Sequence, residues 1–277
     1  MYYIHMSGQS CAAYECKYRS HLGPAKAVKV IAFWAGSRRC SIQSADNLCR
    51  LKYIIRQEKQ LDYGVPMDLI IVNSVNDKVK GECSDYLNSL NGQDTKNGRI
   101  IVLHKYNFGI SFGAFDFAFQ LFQNFYKYWY FCEDDAITVN HGVMKDAIDI
   151  LESKESNIGF VATIKRITRG YSHPYARGGT GITTREILKK ANESSGLPYH
   201  SGPNQNSYRY HQRQGERWFT WNIVKKLGYE ITITNIPNST MMWGTTSHKV
   251  KWLGDRQSYG VLVPWDKNIC KKEDFTI

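Results

Sequence analysis

Tyr128-Trp129-Tyr130-Phe131-Cys132-Glu133-Asp134-Asp135-Ala136-Ile137 decides how the chain is read. Its aromatic half suits a strand buried within a sheet. Its acidic half places three carboxylates side by side. Adjacent acids repel one another, so at the end of a buried strand they call for a divalent cation or a cationic partner. The stretch therefore predicts a central strand that delivers a Mg²⁺ or Mn²⁺ site at its carboxyl end.

Upstream, the pattern repeats as strand, loop and helix. Ala27 to Trp34 is a β-rich run closed by Ala35-Gly36-Ser37, and residues Asn47 to Leu61 carry apolar side chains at helical spacing through Leu48, Leu51, Ile54 and Ile55. Met67 to Asn73 is a second strand after the turn signal Gly64 to Pro66, and Asp77 to Asn91 is a polar helix or loop. Arg99 to Leu103 is a third strand. Its exit, Asn107-Phe108-Gly109, leads to a helix predicted to start at Ser111 as cap, with Phe115, Phe119 and Phe122 on its core face. Strands separated by helices imply right-handed crossovers and a mainly parallel sheet flanked by helices, with ligands at the carboxyl ends of the strands. The expected class is α/β.

Downstream the pattern is less regular. Ile158 to Ile164 reads as a strand, Arg177-Gly178-Gly179-Thr180-Gly181 as a close backbone approach or a turn, and Thr184 to Asn192 as a helix. Residues 193 to 213 form a polar loop suited to a substrate lid, followed by helix Glu216 to Leu227 and strand Glu230 to Asn235. The tail from Met241 mixes short strands with turns. The organisation expected is an N-terminal extension, 1–26, and one domain, 27–277. Within that domain, 27–137 is a regular α/β half and 138–277 a mixed, less regular half.

Composition narrows the class. The chain has 277 residues, 42% of them hydrophobic, enough for a sizeable core, and no apolar run of membrane-spanning length. His5, Gln9, Glu15 and Lys17 interrupt the first residues, so no secretory signal is expected and the expected location is cytoplasmic. Seven cysteines, without closely spaced metal-binding pairs, are expected as free thiols. The 36 Lys and Arg against 25 Asp and Glu give a net charge of +11, which attracts phosphates. The basic residues are scattered rather than gathered in one arm, so a phosphorylated small molecule is expected in preference to nucleic acid.

With these segments in order, the chain resembles the GT-A fold glycosyltransferases, whose hallmark is an acidic metal motif after the fourth strand of a nucleotide-binding half. The resemblance runs from about Val28 to Asn235. It rests on the first strand and its loop, on Asn107 to Ala114, on Glu133-Asp134-Asp135, on the glycine segment and on Gly215-Glu216. It implies a single GT-A-like, Rossmann-like domain, with 27–137 as its nucleotide-binding half and 138–277 as its acceptor-binding half, that moves a sugar from a nucleoside diphosphate sugar to an acceptor hydroxyl on a glycan, glycoprotein or glycolipid. Transfer would be metal-dependent and inverting.

The resemblance also implies roles. Asp135 would ligate Mn²⁺ or Mg²⁺, with His248 as a further ligand, while Glu133 and Asp134 would hold ribose or metal-bound water. Ala35, Gly36 and Arg39 would meet the nucleotide after the first strand, Asn73 would lie near base and ribose, and Asn107, Gly113, Gly178 and Gly179 would line the donor site. Glu216 would be the general base, with Asp255 as the alternative. For each there is a plainer reading: surface ion pairs for the acids, a favourable helix-start charge for Glu216, a turn for the glycines, a solvated loop for the arginines. Two other functions stay open. A nucleotidyltransferase acting on a sugar phosphate would use acids and a metal too, although Ala35-Gly36-Ser37-Arg38-Arg39 holds only one glycine for a phosphate loop. A non-catalytic carbohydrate- or nucleic-acid-binding protein would use some of the 18 tyrosines as stacking groups.

Overall fold

A computed structural model describes residues 25–33, 42–75, 82–106, 109–134, 136–138, 141–153, 157–162, 165–166, 175–176, 179–195, 226–233, 239–243 and 263–264. The β-branched run at its start forms strand β1 (Ala27–Phe33), buried along its whole length. Helix α1 (Ile42–Gln60), strand β2 (Met67–Val75), helix α2 (Glu82–Leu90), strand β3 (Ile100–Tyr106), helix α3 (Ile110–Phe122) and strand β4 (Tyr128–Glu133) follow in alternation. Strand β5 (Ala136–Thr138), helix α4 (Val143–Glu152), strands β6 (Ile158–Ala162), β7 (Lys165–Arg166), β8 (Tyr175–Ala176) and β9 (Gly181–Thr184), helix α5 (Arg185–Ser195) and strands β10 (Glu230–Ile233), β11 (Ser239–Trp243) and β12 (Val263–Pro264) complete the order.

The central sheet has seven strands in the order β10-β6-β9-β4-β1-β2-β3. β1 pairs in parallel with both β2 and β4, and β2 with β3. β9 alone is reversed, antiparallel to both β4 and β6. The sheet is thus mainly parallel and flanked by helices, as the alternating pattern predicts. A three-stranded sheet, β12-β11-β5, and the pair β7-β8 stand beside it.

Chain direction explains which face each helix covers. From β1 to β3 the strands advance one way, with α1 and α2 packed beside Ile31, Phe33, Ile71 and Val102. The chain then returns across β1 to β4, and a right-handed crossover in the opposite direction puts α3 on the other face. There Phe115, Phe119 and Phe122 pack with Val30, Val72, Leu103, Trp129 and Phe131. Phe115 lies 4.9 Å from Phe131 and Phe119 5.1 Å from Trp129, centroid to centroid. Such aromatic pairs add about 0.5–1.5 kcal/mol each beyond their buried area.

One local expectation is corrected, and two elements are added to those the sequence pattern predicts. Ser111 does not cap α3: Gly109, in the left-handed region at φ 80°, holds the N-cap position, so Ser111 sits inside the first turn. Gly181 to Thr184 forms β9, which fills the slot between β4 and β6, and the helix expected from Thr184 follows it as Arg185–Ser195. Residues 143–152 form a helix, α4, with Val143, Met144 and Ala147 buried.

Candidate functional site

Strand order reverses between β1 and β4, since β1 leads outward to β2 while β4 lies on its opposite side. In an open sheet, ligands gather at the carboxyl ends of the strands at such a switch point. Glu133 lies at that end of β4, opposite Ala32 of β1, and Asp134 follows it. Both acids are half-buried.

The first turn of α3 reaches this edge. Ser111 Oγ donates to Glu133 Oε1 at 2.6 Å, a length typical of a hydroxyl bound to a carboxylate. Because Gly109 occupies the cap position and accepts from the Gly113 N–H at 2.9 Å, the Ser111 hydroxyl is directed to the neighbouring strand. Gly113 is half-buried in the same turn.

The reversed strand brings in the glycine segment. Since β9 is antiparallel to β4, its first residue, Gly181, pairs with Phe131, two positions before Glu133. Gly179 precedes it in the left-handed region at φ 65°, and a Cβ there would lie 2.7 Å from Phe112 Cε1. Gly179, Phe112, Ser111 and Glu133 therefore form one continuous line of contacts at the sheet edge. The second sheet reaches the same place. β5 begins at Ala136 and pairs with β11 through Ala136 and Met241, so β11 also borders the acidic turn.

Asn73, at the end of β2, faces the other side of the sheet. Its Nδ2 lies 3.2 Å from His104 Nδ1, and His104 Nε2 lies 3.0 Å from Asn88 Oδ1 of α2. The Asn73 side chain is buried, and its Oδ1 has no hydrogen-bond partner among the described residues; neither has the buried Ser74 Oγ. Buried polar atoms of that kind are uncommon and are ordinarily satisfied by water or a ligand. Asn73 and Glu133 thus share the carboxyl edge without touching.

Further along that edge, burial pushes the Asp116 carboxyl up to about 6 against the pull of Gln120 and Lys105, and burial draws Lys105 down to about 8. The sequence singles out neither residue. A polar position within the aromatic face of α3 is the signal that points to Asp116.

Ala35, Gly36, Arg39, Asn107, Asp135, Gly178, Glu216, His248 and Asp255 lie outside the described residues. Among the described residues no group of three or more His, Cys, Asp and Glu is gathered as a metal cluster, and no helix is long and apolar enough to cross a membrane. Cys132 is buried, and its thiol donates to the Glu133 carbonyl at 3.4 Å.

No family model matches the chain, and no curated protein matches it in sequence. In fold it is similar to a cytidylyltransferase from Leptospira borgpetersenii serovar Hardjo-bovis (strain JB197), with a TM-score of 0.44 and 13% identity, over 76% of this chain and 75% of that one.

Proposed function

We propose that the protein is a nucleotide-dependent transferase whose site is the carboxyl edge between β1 and β4, and that it moves a sugar from a nucleoside diphosphate sugar to an acceptor hydroxyl. The observation that carries this reading is the convergence of the acids, the first turn of α3 and the glycine segment at the topological switch point. The acids offer hard oxygen donors of the kind Mg²⁺ and Mn²⁺ prefer. Asp135, with Asp134 beside it, would hold the ion, which when bound neutralises charge on a departing diphosphate. His248 is the further candidate ligand.

Each neighbouring group has a part in this reading. Glu133, oriented by Ser111, holds a ribose hydroxyl or a metal-bound water. Gly178 and Gly179 let the backbone come close to the donor sugar, and the orphaned Asn73 oxygen accepts from the nucleotide. Ala35, Gly36, Arg39, Asn107 and Gly113 complete the donor contacts. Glu216, or Asp255 in its place, takes the proton from the acceptor hydroxyl in an inverting displacement.

Nucleotidyl transfer onto a sugar phosphate would place a nucleotide at the same edge and use the same acids; the name cytidylyltransferase describes a reaction of that class. The two reactions release different products. Incubation with nucleoside diphosphate sugars and Mn²⁺ is expected to yield nucleoside diphosphate, by transfer or by slow hydrolysis. Pyrophosphate from CTP or UTP with a sugar phosphate, and no turnover of any nucleotide sugar, replaces glycosyl transfer by nucleotidyl transfer. Neither product under either condition overturns the transferase reading.

A further inference from the structure

Lys29 lies at the middle of β1 with no exposed surface. A buried lysine is costly unless every proton finds an acceptor. Its Nζ donates to Glu58 Oε1 at 2.5 Å, to Tyr63 Oη at 2.8 Å and to Thr138 Oγ1 at 2.9 Å, so all three protons are used. Tyr63 donates in turn to Glu58 Oε2 at 2.8 Å, and Tyr130 Oη lies 2.9 Å from Thr138 Oγ1. Tyr130 is the cross-strand partner of Lys29, and its ring centroid is 4.8 Å from the ammonium. Burial is the largest single influence and by itself would lower the Lys29 pKa, but the Glu58 carboxylate acting together with Tyr63, Cys132 and Tyr130 holds the ammonium above the ordinary lysine range.

The network joins β1, the last turn of α1, the loop after it, β4 and β5. On that face of the sheet it lies where Ala27 of one apolar cluster gives way to Ile31 of the next. An apolar side chain in place of Lys29 would bridge them, and replacing a buried ion pair by apolar groups of similar size is often neutral or stabilising. What the lysine adds is a fixed attachment for Thr138. Thr138 ends β5, whose first residue directly follows Asp135, and it pairs with Ser239 of β11.

We propose that Lys29 is a positioning residue: through Thr138 and Tyr130 it clamps both strands that flank the acidic turn, and with them the second sheet that borders it. The consequence for ligand binding rests on the function proposed above; the clamp itself does not. Cutting the link without removing the ion pair isolates the effect. In Thr138→Val, hydrogen exchange at the amides of β5 and β11 accelerates at least tenfold while β2 and β3 keep their protection, and Kd for the Mn²⁺–nucleotide sugar rises at least tenfold. Thr138→Ser restores both, because it keeps the hydroxyl. The double variant Lys29→Met with Glu58→Leu, which leaves no buried charge unpaired, loosens β5 and β11 in the same way.

Wild-type exchange in β5 and β11 of Thr138→Val, or equal acceleration throughout the central sheet, overturns the clamp. So does wild-type protection in the double variant, which would assign the anchoring to Tyr130 alone. If wild-type protein binds no nucleotide sugar, the proposed function fails and the exchange measurements still decide the clamp.

Discussion

Ser111 Oγ and Glu133 Oε1 are 2.6 Å apart, joining the first turn of α3 to the end of β4. Such a bond to a carboxylate contributes about 1.5–3 kcal/mol to whatever depends on its geometry. Ser111→Ala is expected to free the Glu133 carboxylate and to weaken nucleotide-sugar binding by about tenfold, which corresponds to about 1.4 kcal/mol. Its Tm should stay within a few degrees of wild type, because α3 is held by its aromatic face. Isothermal titration with thermal melting separates the two; unchanged affinity removes Glu133 orientation from the account.

Gly179 is constrained twice, by its left-handed backbone and by the Phe112 ring. Gly179→Ala therefore loses about 1–3 kcal/mol of stability from backbone strain alone, and more where the ring cannot move. Phe112→Leu in the same chain is expected to recover the steric part and leave the backbone part. Urea denaturation of the single and double variants measures both.

Asp116 predicts a pH dependence with a definite sign. Its carboxyl titrates near 6 in the folded protein, above the ordinary value of 3.8, chiefly because it is buried. The folded state thus holds this proton more tightly than the unfolded chain, and the stability it contributes is lost as pH rises from about 4 through 6. Asp116→Asn should raise Tm by a few degrees at pH 7.5 and change it little at pH 4. Loss of a partner for Lys105 offsets part of the gain, since the Asp116 charge supports that ammonium. Thermal melts at both pH values check the sign.

Asn73 provides a test on the far side of the edge. Its buried Oδ1 has no partner among the described residues, and truncation removes an acceptor that costs the unliganded fold nothing to lose. Asn73→Ala is expected to weaken nucleotide binding several-fold, with a smaller change in stability from its lost contact to His104. Equal affinity for nucleotide in the variant removes Asn73 from the site.

Much of the frame is legible in the residues themselves. β1 to β4 announce themselves because strands buried on both faces need unbroken apolar runs, and the spacing of Phe115, Phe119 and Phe122 marks the face of α3. Other features depend on contacts between distant segments. Ser111 reads as a cap until the conformation of Gly109 is known, and only then is its hydroxyl available to Glu133. β9 is too short for its period to be read, and its reversal is a property of the sheet rather than of Gly181-Ile182-Thr183-Thr184. Lys29 inside an apolar strand does signal a buried cation. Its acceptors at Glu58, Tyr63 and Thr138, 29 to 109 residues away, are set by the topology.

In the proposed site the acidic turn after β4 binds a nucleotide through a divalent cation. Calorimetric titration of UDP, GDP, CDP and their sugars, with and without Mn²⁺, into wild type, Asp134→Asn and Asp135→Asn tests it most directly. At least one nucleotide is expected to bind the wild type in a Mn²⁺-dependent manner, with at least a tenfold loss of affinity in Asp135→Asn and a smaller loss in Asp134→Asn. Binding that is independent of Mn²⁺ and equal in all three proteins, or no binding to any, rules out a metal-held nucleotide at this turn.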